Sequence, residues 1–577
     1  MTKRLKIRGP KQTALRAVAA AAVSVAAGQA GAFQVELGNP DLKMRWDNTV
    51  RYNLGTRIEA QDSRILASPS YDESDAKFGK GDIVTNRIDL LSEVDFSYAG
   101  KLGLRVSAAA WYDDAYSKRT VTSPAAGGAI PTSYYGSTYN NKVKRYVNGL
   151  SGEVLDAFVW TNFNLGEIPV NVKLGRHTVV WGEGLLIGGH AISYGQAPVD
   201  GVKAVTSPGI ETKEVFLPIS QLSFRAQLTD KLSLAGQYFL EWKPTRVPNG
   251  GTYLMGADTS PNVDRLGIGA GLAVDQVAAG KPGNTGNWGL GLKWDVDAIN
   301  STLGFFYREF NDYNPETGIQ FTSFRQLVPG NAATTVPATF RFVYAQKQKL
   351  LGASLARSLG PVSFGAEISL RQNAHLNSKT TYLPNENTGA RGDTLHLIAN
   401  GIYLLPKTPV WDSGSLIVEL AHSRLQKITA NENLYRGEGY AGGCIKSGTG
   451  SGGVPAALGD RSDTCSTKSF TQLAVSFTPQ YIQLFPSWDV TVPVALNVGL
   501  KGTAPTGGGG FEKLMSWSIG LNATYASAHD FTLRYSDISV PGKYNAAGTT
   551  LIGGNSLGSS LGATDRGWLV FTYKTSF

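Results

Sequence analysis

MRWDNTVRYNL, residues 44–54, decides the fold class. Met44, Trp46, Val50, Tyr52 and Leu54 share one face of an extended chain; Arg45, Asp47, Thr49, Arg51 and Asn53 share the other. A period of two predicts a β-strand, since successive side chains of a strand point to opposite sides. Aromatic and aliphatic groups on one face, with charges on the other, suit a strand that has lipid outside it and a polar lumen inside.

Segments of the same kind recur in pairs along the chain. The pairs are 85–98 with 101–116, 153–164 with 168–180, 219–228 with 231–243, and 287–296 with 299–312. They continue with 340–358 and 361–372, 393–405 and 414–428, 469–482 and 489–502, and 513–526 and 530–540, before a lone final segment at 564–577. Within each pair the connection is tight, as at Ala99-Gly100 or Leu359-Gly360, and between pairs lie long stretches rich in Gly, Ser, Pro and Asn. Alternation of short and long connections is what periplasmic turns and extracellular loops produce. The expectation is an all-β transmembrane antiparallel barrel of about 18 strands, with 16 as the nearest alternative.

Composition agrees. The chain holds 68 Gly, 24 Tyr, 23 Phe and 11 Trp, and no apolar run after residue 32 has the length of a spanning helix. Only a closed barrel then satisfies the backbone within lipid.

Residues 1–32 read as a cleaved signal peptide. Lys3, Arg4, Lys6, Arg8, Lys11 and Arg16 make a basic start, Ala17 to Ala27 an apolar stretch, and Ala30-Gly31-Ala32 a small-residue cleavage site. Removing six of the 54 basic residues and none of the 45 acidic ones leaves a mature net charge of +3. No basic stripe with interleaved aromatics remains, so a nucleic-acid partner is not expected. Residues 33–577 read as one barrel domain in the outer membrane of a Gram-negative bacterium, surrounded by its lipids and lipopolysaccharide.

At the other end, Leu569, Phe571, Tyr573, Thr575 and Phe577 fall on one strand face. A final strand of this pattern resembles the signal read by the bacterial barrel assembly machinery, with Phe571, Tyr573 and Phe577 as its carriers. Cys444 and Cys465 flank a glycine-rich loop, and two cysteines in an exported chain most simply form a disulfide.

Candidates for catalysis are thin. The six histidines form no HExxH motif and lie at no ligand spacing with Cys or carboxylates. No G-x-S-x-G elbow is present; His190 with Ser193 is the best nomination for a hydrolase. Asp72-Glu73-Ser74-Asp75 reads as a solvated loop face. No enzyme activity, metal or cofactor is expected.

LGRHTVVWGEGLLIGGHAISYGQAPVDG, residues 174–201, differs. It runs from a strand into a long connection carrying Trp181, Leu185, Leu186, Ile187, Ile192, Tyr194, Val199, Val202, Val205 and Ile210. So apolar a loop is costly in water, and it escapes by folding into the lumen or over it as a lid. Arg176, Glu183, Asp200, Lys203, Glu211 and Lys213 interrupt it and need pairing there. Arg176, His177, Trp181, Glu183, Asp200 and the later Trp242 are the candidate ligand or gate residues.

In this region the chain resembles the outer-membrane family catalogued as domain of unknown function 1302. The carriers are Gly175-Arg176-His177, Trp181-Gly182-Glu183, Pro198-Val199-Asp200, Pro208-Gly209, Leu217-Pro218, Tyr238 and Glu241-Trp242. Phe477-Thr478-Pro479-Gln480-Tyr481, Asp489 and Val492-Pro493 form a second anchor, and the cysteine pair fits as well. The resemblance implies a barrel that works beside a periplasmic lipid-carrier-like protein and a resistance-nodulation-division permease. The expected function is transport of hydrophobic or amphipathic molecules (lipid-, sterol- or aromatic-like). The alternatives are a passive diffusion porin for small polar solutes and an outer-membrane hydrolase.

Overall fold

The computed structural model describes residues 33–36, 38–118, 120–440, 444, 464–554 and 560–577. The expected signal peptide, residues 1–32, lies outside the described residues.

Eighteen antiparallel strands close into a barrel. In chain order they are β1 (Leu42–Arg57), β2 (Ile83–Tyr98), β3 (Leu102–Asp113), β4 (Gly149–Leu165), β5 (Ile168–His177) and β6 (Ile219–Thr229). Next come β7 (Leu232–Phe239), β8 (Trp288–Val296), β9 (Ser301–Phe310), β10 (Gln348–Leu359), β11 (Val362–His375) and β12 (Arg391–Leu404). The last six are β13 (Ser413–Ala430), β14 (Ser469–Phe485), β15 (residues 488–501), β16 (Met515–Tyr525), β17 (His529–Ser539) and β18 (Trp568–Ser576). Each pairs with its sequence neighbours, and β18 returns to β1 with Thr49 opposite Ser576 and Arg57 opposite Trp568. Closure leaves no unpaired sheet edge in the wall. No described helix is long and apolar enough to cross a membrane.

The expected count of 18 holds. The strand placed at 340–358 begins at Gln348; residues 340–344 belong to a separate strand, Thr335–Tyr344, in a sheet above the barrel. Its apolar alternation resembles that of a wall strand, so the sequence pattern alone does not separate them. Pro493 splits β15 into Trp488–Thr491 and Val494–Lys501, because proline has no N–H for the ladder.

Eight tight turns gather at one end. At Ala99-Gly100 both residues take positive φ, +48° and +66°, as a two-residue hairpin turn requires. Nine long loops gather at the other end and build a cap. It contains a five-stranded sheet and an aromatic core in which Phe78, Tyr116, Tyr134, Tyr139 and Tyr253 meet edge-on. The cap corrects one expectation: Asp72, Glu73 and Asp75 are buried, not solvated. Asp72 accepts from Ser123 Oγ and the Ala125 N–H, and Glu73 from the Ser133 N–H. The Cys444–Cys465 disulfide is present in the cap, while residues 445–463 between its halves lie outside the described residues.

The wall follows the two-residue period. Leu54, Leu90, Leu174, Leu290, Phe305, Ile368, Leu397, Leu420, Leu521, Leu533 and Phe571 are exposed on the outer face. The alternate positions, among them Arg51, Asn53, Arg308, Glu367, Arg371, His396 and Glu419, are buried and face inward.

Candidate functional site

The connection between β5 and β6, residues 178–218, leaves the rim and enters the barrel. Its first arm, Trp181 to Gln196, lies against the inner faces of β8 to β14. Two wall carboxylates receive its backbone N–H groups. Glu367 accepts from Glu183, from Gly184 at 2.8 Å and from Ile192 at 2.7 Å. Glu419 accepts from Leu185, Leu186 and Ile187 at 2.6, 2.9 and 2.5 Å.

Two wall arginines receive its carbonyls. Arg371 donates to Gly189 and Ala191 at 2.9 Å each, and Arg308 donates to Ile192, Tyr194 and Gly195 at 2.6–3.0 Å. A non-helical backbone inside a barrel leaves its polar groups unpaired unless side chains meet them, and an unmet buried group costs about 1–3 kcal/mol. Here charged side chains from the wall satisfy the loop.

The apolar side chains of this arm fill what remains. Trp181 stacks on Phe306 at 5.9 Å between ring centres and lies on the inward face of Gly289 and Gly291. A Cβ at residue 289 would come within 2.9 Å of the indole, so glycine makes the recess. Ile187 and Ala191 pack with Ile398, Ala421 and Ala474.

The second arm runs to the opposite wall. Asp200 caps the short helix Gly201–Thr206 through the Lys203 N–H and pairs with Arg246 at 2.6 Å. Glu153 on β4 binds Lys203 at 2.5 Å and Arg246 at 2.6 Å. Arg51 on β1 binds Glu214 at 2.6 Å, and Asp89 accepts from Ser207 at 2.8 Å. Arg51 on β1 and Glu367 on β11 stand eight strands apart by the shorter way round a ring of 18, so the loop crosses the lumen.

Two spaces border the crossing. A cavity of about 530 Å³ at the tight-turn end is lined by Glu183, Leu185, Asp297, Asn300, Ser358 and Asn400. A second space, of about 380 Å³, is lined by Leu186, Ile187, Gly189, Phe511, Leu514, Gln472 and Asn497. It continues into about 210 Å³ beside Ser516 and Ile538. The lining of this slot mixes apolar side chains, the wall residues Phe470 and Ile538 among them, with the amides of Gln472 and Asn497 and the hydroxyl of Ser516.

The six candidate residues do not converge. Trp181 and Glu183 sit on the first arm, with Glu183 3.4 Å from Lys293, and Asp200 anchors the second. His177 faces inward and bonds Ser223 at 2.6 Å. Arg176 points to the outer rim, 3.6 Å from Glu241, and Trp242 packs between Tyr313 and Tyr344 in the cap. His190 has no partnership with Ser193: its Nδ1 meets His396 at 3.0 Å and its Nε2 meets the Gly509 carbonyl at 2.8 Å. Glu367, Glu419, Arg308 and Arg371 were not singled out from sequence. Their signal was a charge in the inward phase at mid-strand, which period two alone makes visible.

A family model described as "Protein of unknown function (DUF1302)" matches residues 13–577. No curated protein matches the chain. Among solved structures, Acinetobacter baumannii OccAB1 aligns over 95% of this chain and 99% of its own at 10% identity, with a TM-score of 0.39. Pseudomonas aeruginosa OpdK with vanillate and a BenF-like porin from Pseudomonas fluorescens Pf-5 each align over 92% and 99% at 10% identity, with a TM-score of 0.37. Superpositions this loose transfer neither a site nor a substrate.

Proposed function

The chain belongs to the DUF1302 family, and we propose that it is an outer-membrane channel passing small amphipathic solutes around an internal loop. The outer apolar face and closed ladder suit a lipid bilayer, in which every backbone group must pair within the wall. The observation that carries the substrate class is the mixed slot, in which Leu186, Ile187, Phe470, Phe511 and Leu514 share the lining with Gln472, Asn497 and Ser516. A compact molecule with one apolar face and one polar edge matches it. A bounded slot of this size does not suit an extended acyl chain, so a lipid is the less favoured cargo. Hand-over to a periplasmic carrier would take place at the tight-turn end, where the 530 Å³ cavity lies.

The test is purified barrel in proteoliposomes and planar bilayers. Phenyl glucoside, neutral and amphipathic, is expected to enter proteoliposomes while steady conductance in potassium chloride stays low. A large, permanently open conductance would instead favour the diffusion porin, and release of fatty acid from the vesicles would favour the hydrolase.

A further inference from the structure

The inner wall of β14 to β17 differs from the rest of the lumen. The crossing loop makes no hydrogen bond or ion pair with β15, β16 or β17 among the described residues. Pairing registers place Leu521 opposite Leu533 and Ile519 opposite Tyr535 on the outer face. The alternate positions of β16 and β17 therefore face inward: Ser516, Ser518, Gly520 and Asn522, opposite Ile538, Ser536, Arg534 and Thr532. This is a track of hydroxyls and amides with one cation in its middle.

Arg534 has no hydrogen bond or ion pair among the described residues. Several charged groups elsewhere on the inner wall are matched: Arg51 by Glu214, Arg87 by Asp89, Lys293 by Glu183 and Lys574 by Asp530, while Lys173 lies against the ring of Phe158. Arg308 and Arg371 spend their donors on loop carbonyls. Across the ladder from Arg534 stands Gly520, and the next inward neighbour on the other side is Val570. Neither offers an acceptor side chain; at Gly520 a Cβ would stand 3.5 Å from the Cβ of Arg534 and 3.4 Å from Pro493. The slot described above ends at Ser516 and Ile538. Arg534 lies four residues farther along β17, roughly 13 Å at a strand's rise per residue, towards the tight-turn end.

We infer that Arg534 is an anion subsite on the exit side of the slot, binding a carboxylate or sulfonate on an otherwise apolar solute. This rests on the transport reading and narrows its cargo to amphipathic anions. A guanidinium presents paired donors that match two oxygens of such a group. The apolar body would remain against Leu186, Ile187 and Phe511 until the anionic end reaches the arginine.

The test compares uptake of three membrane-impermeant probes by proteoliposomes: benzenesulfonate, trimethylphenylammonium and phenyl glucoside. The wild-type barrel is expected to take up benzenesulfonate about tenfold faster than trimethylphenylammonium, the effect of one charge-assisted contact of about 1.5 kcal/mol. Arg534→Gln is expected to abolish that preference and leave phenyl glucoside entry unchanged, and Arg534→Lys to keep part of it. Glucoside entry with no anion preference, or a preference that survives in Arg534→Gln, overturns the subsite and leaves the channel standing. Entry of none of the probes into wild-type vesicles overturns the channel and the subsite together.

Discussion

Glu367 shows how much one wall residue carries. Its carboxylate holds three backbone N–H groups of the loop, and alanine would leave them without that acceptor. The cost is about 3 kcal/mol, which raises the frequency of loop release roughly a hundredfold. Opening events in single-channel records of Glu367→Ala should increase accordingly, with Glu367→Gln between it and wild type because one carbonyl oxygen remains. Unchanged gating would mean that the loop is held elsewhere. At the same scale, Trp181→Ala empties the recess over Gly289 and Gly291, and truncations of this size cost about 3–5 kcal/mol. Hydrogen exchange at residues 182–192 should rise while exchange in the wall strands stays as it was.

At the scale of elements, the strands were legible and the loop only in part. MRWDNTVRYNL and its counterparts encode their faces locally, through alternation that any pleated chain must obey. The strand ends were less legible, because apolar alternation continues past the wall into the cap at 340–344. The apolarity of residues 181–210 correctly expelled this loop from water. What the spacing did not reveal is that charged wall residues, on strands up to 234 positions away, hold its backbone. Trp181 and Glu183 read as ligand contacts because their partners, Phe306 and Lys293, become neighbours only through the ladder. Asp72-Glu73-Ser74-Asp75 misled for the same reason. Four polar residues in a row look solvated until Ser123, Ser133 and Asp258 close over them.

For the whole molecule, the cap and the crossing loop respond to pH in opposite senses. Burial, with Asp72 beside it, pushes Glu73 up to about 8. In the folded cap it holds a proton that the unfolded chain releases near its ordinary value, so cap stability falls as pH rises from about 4.5 to about 8. Burial pushes His190 down to about 3, with Arg371 adding repulsion. It stays neutral in the folded chain while the unfolded chain is protonated, so loop attachment weakens as pH falls from about 6.5 to about 3. Hydrogen exchange corrected for intrinsic rates should show residues 71–75 less protected at about pH 9 than at about pH 5, and residues 185–195 less protected at about pH 4 than at about pH 7. His190→Gln should blunt the second effect. Identical protection across the range would refute both assignments.

The eight-strand separation between the loop's two anchorages has a mechanical consequence. A ring of strands resists stretching along its hydrogen bonds but ovalises easily, since flattening breaks none of them. Glu367 and Glu419 on one wall, and Arg51 and Glu153 on the other, make the loop a strut spanning the cross-section. Each release of the strut therefore changes the shape of the whole ring as well as clearing its bore.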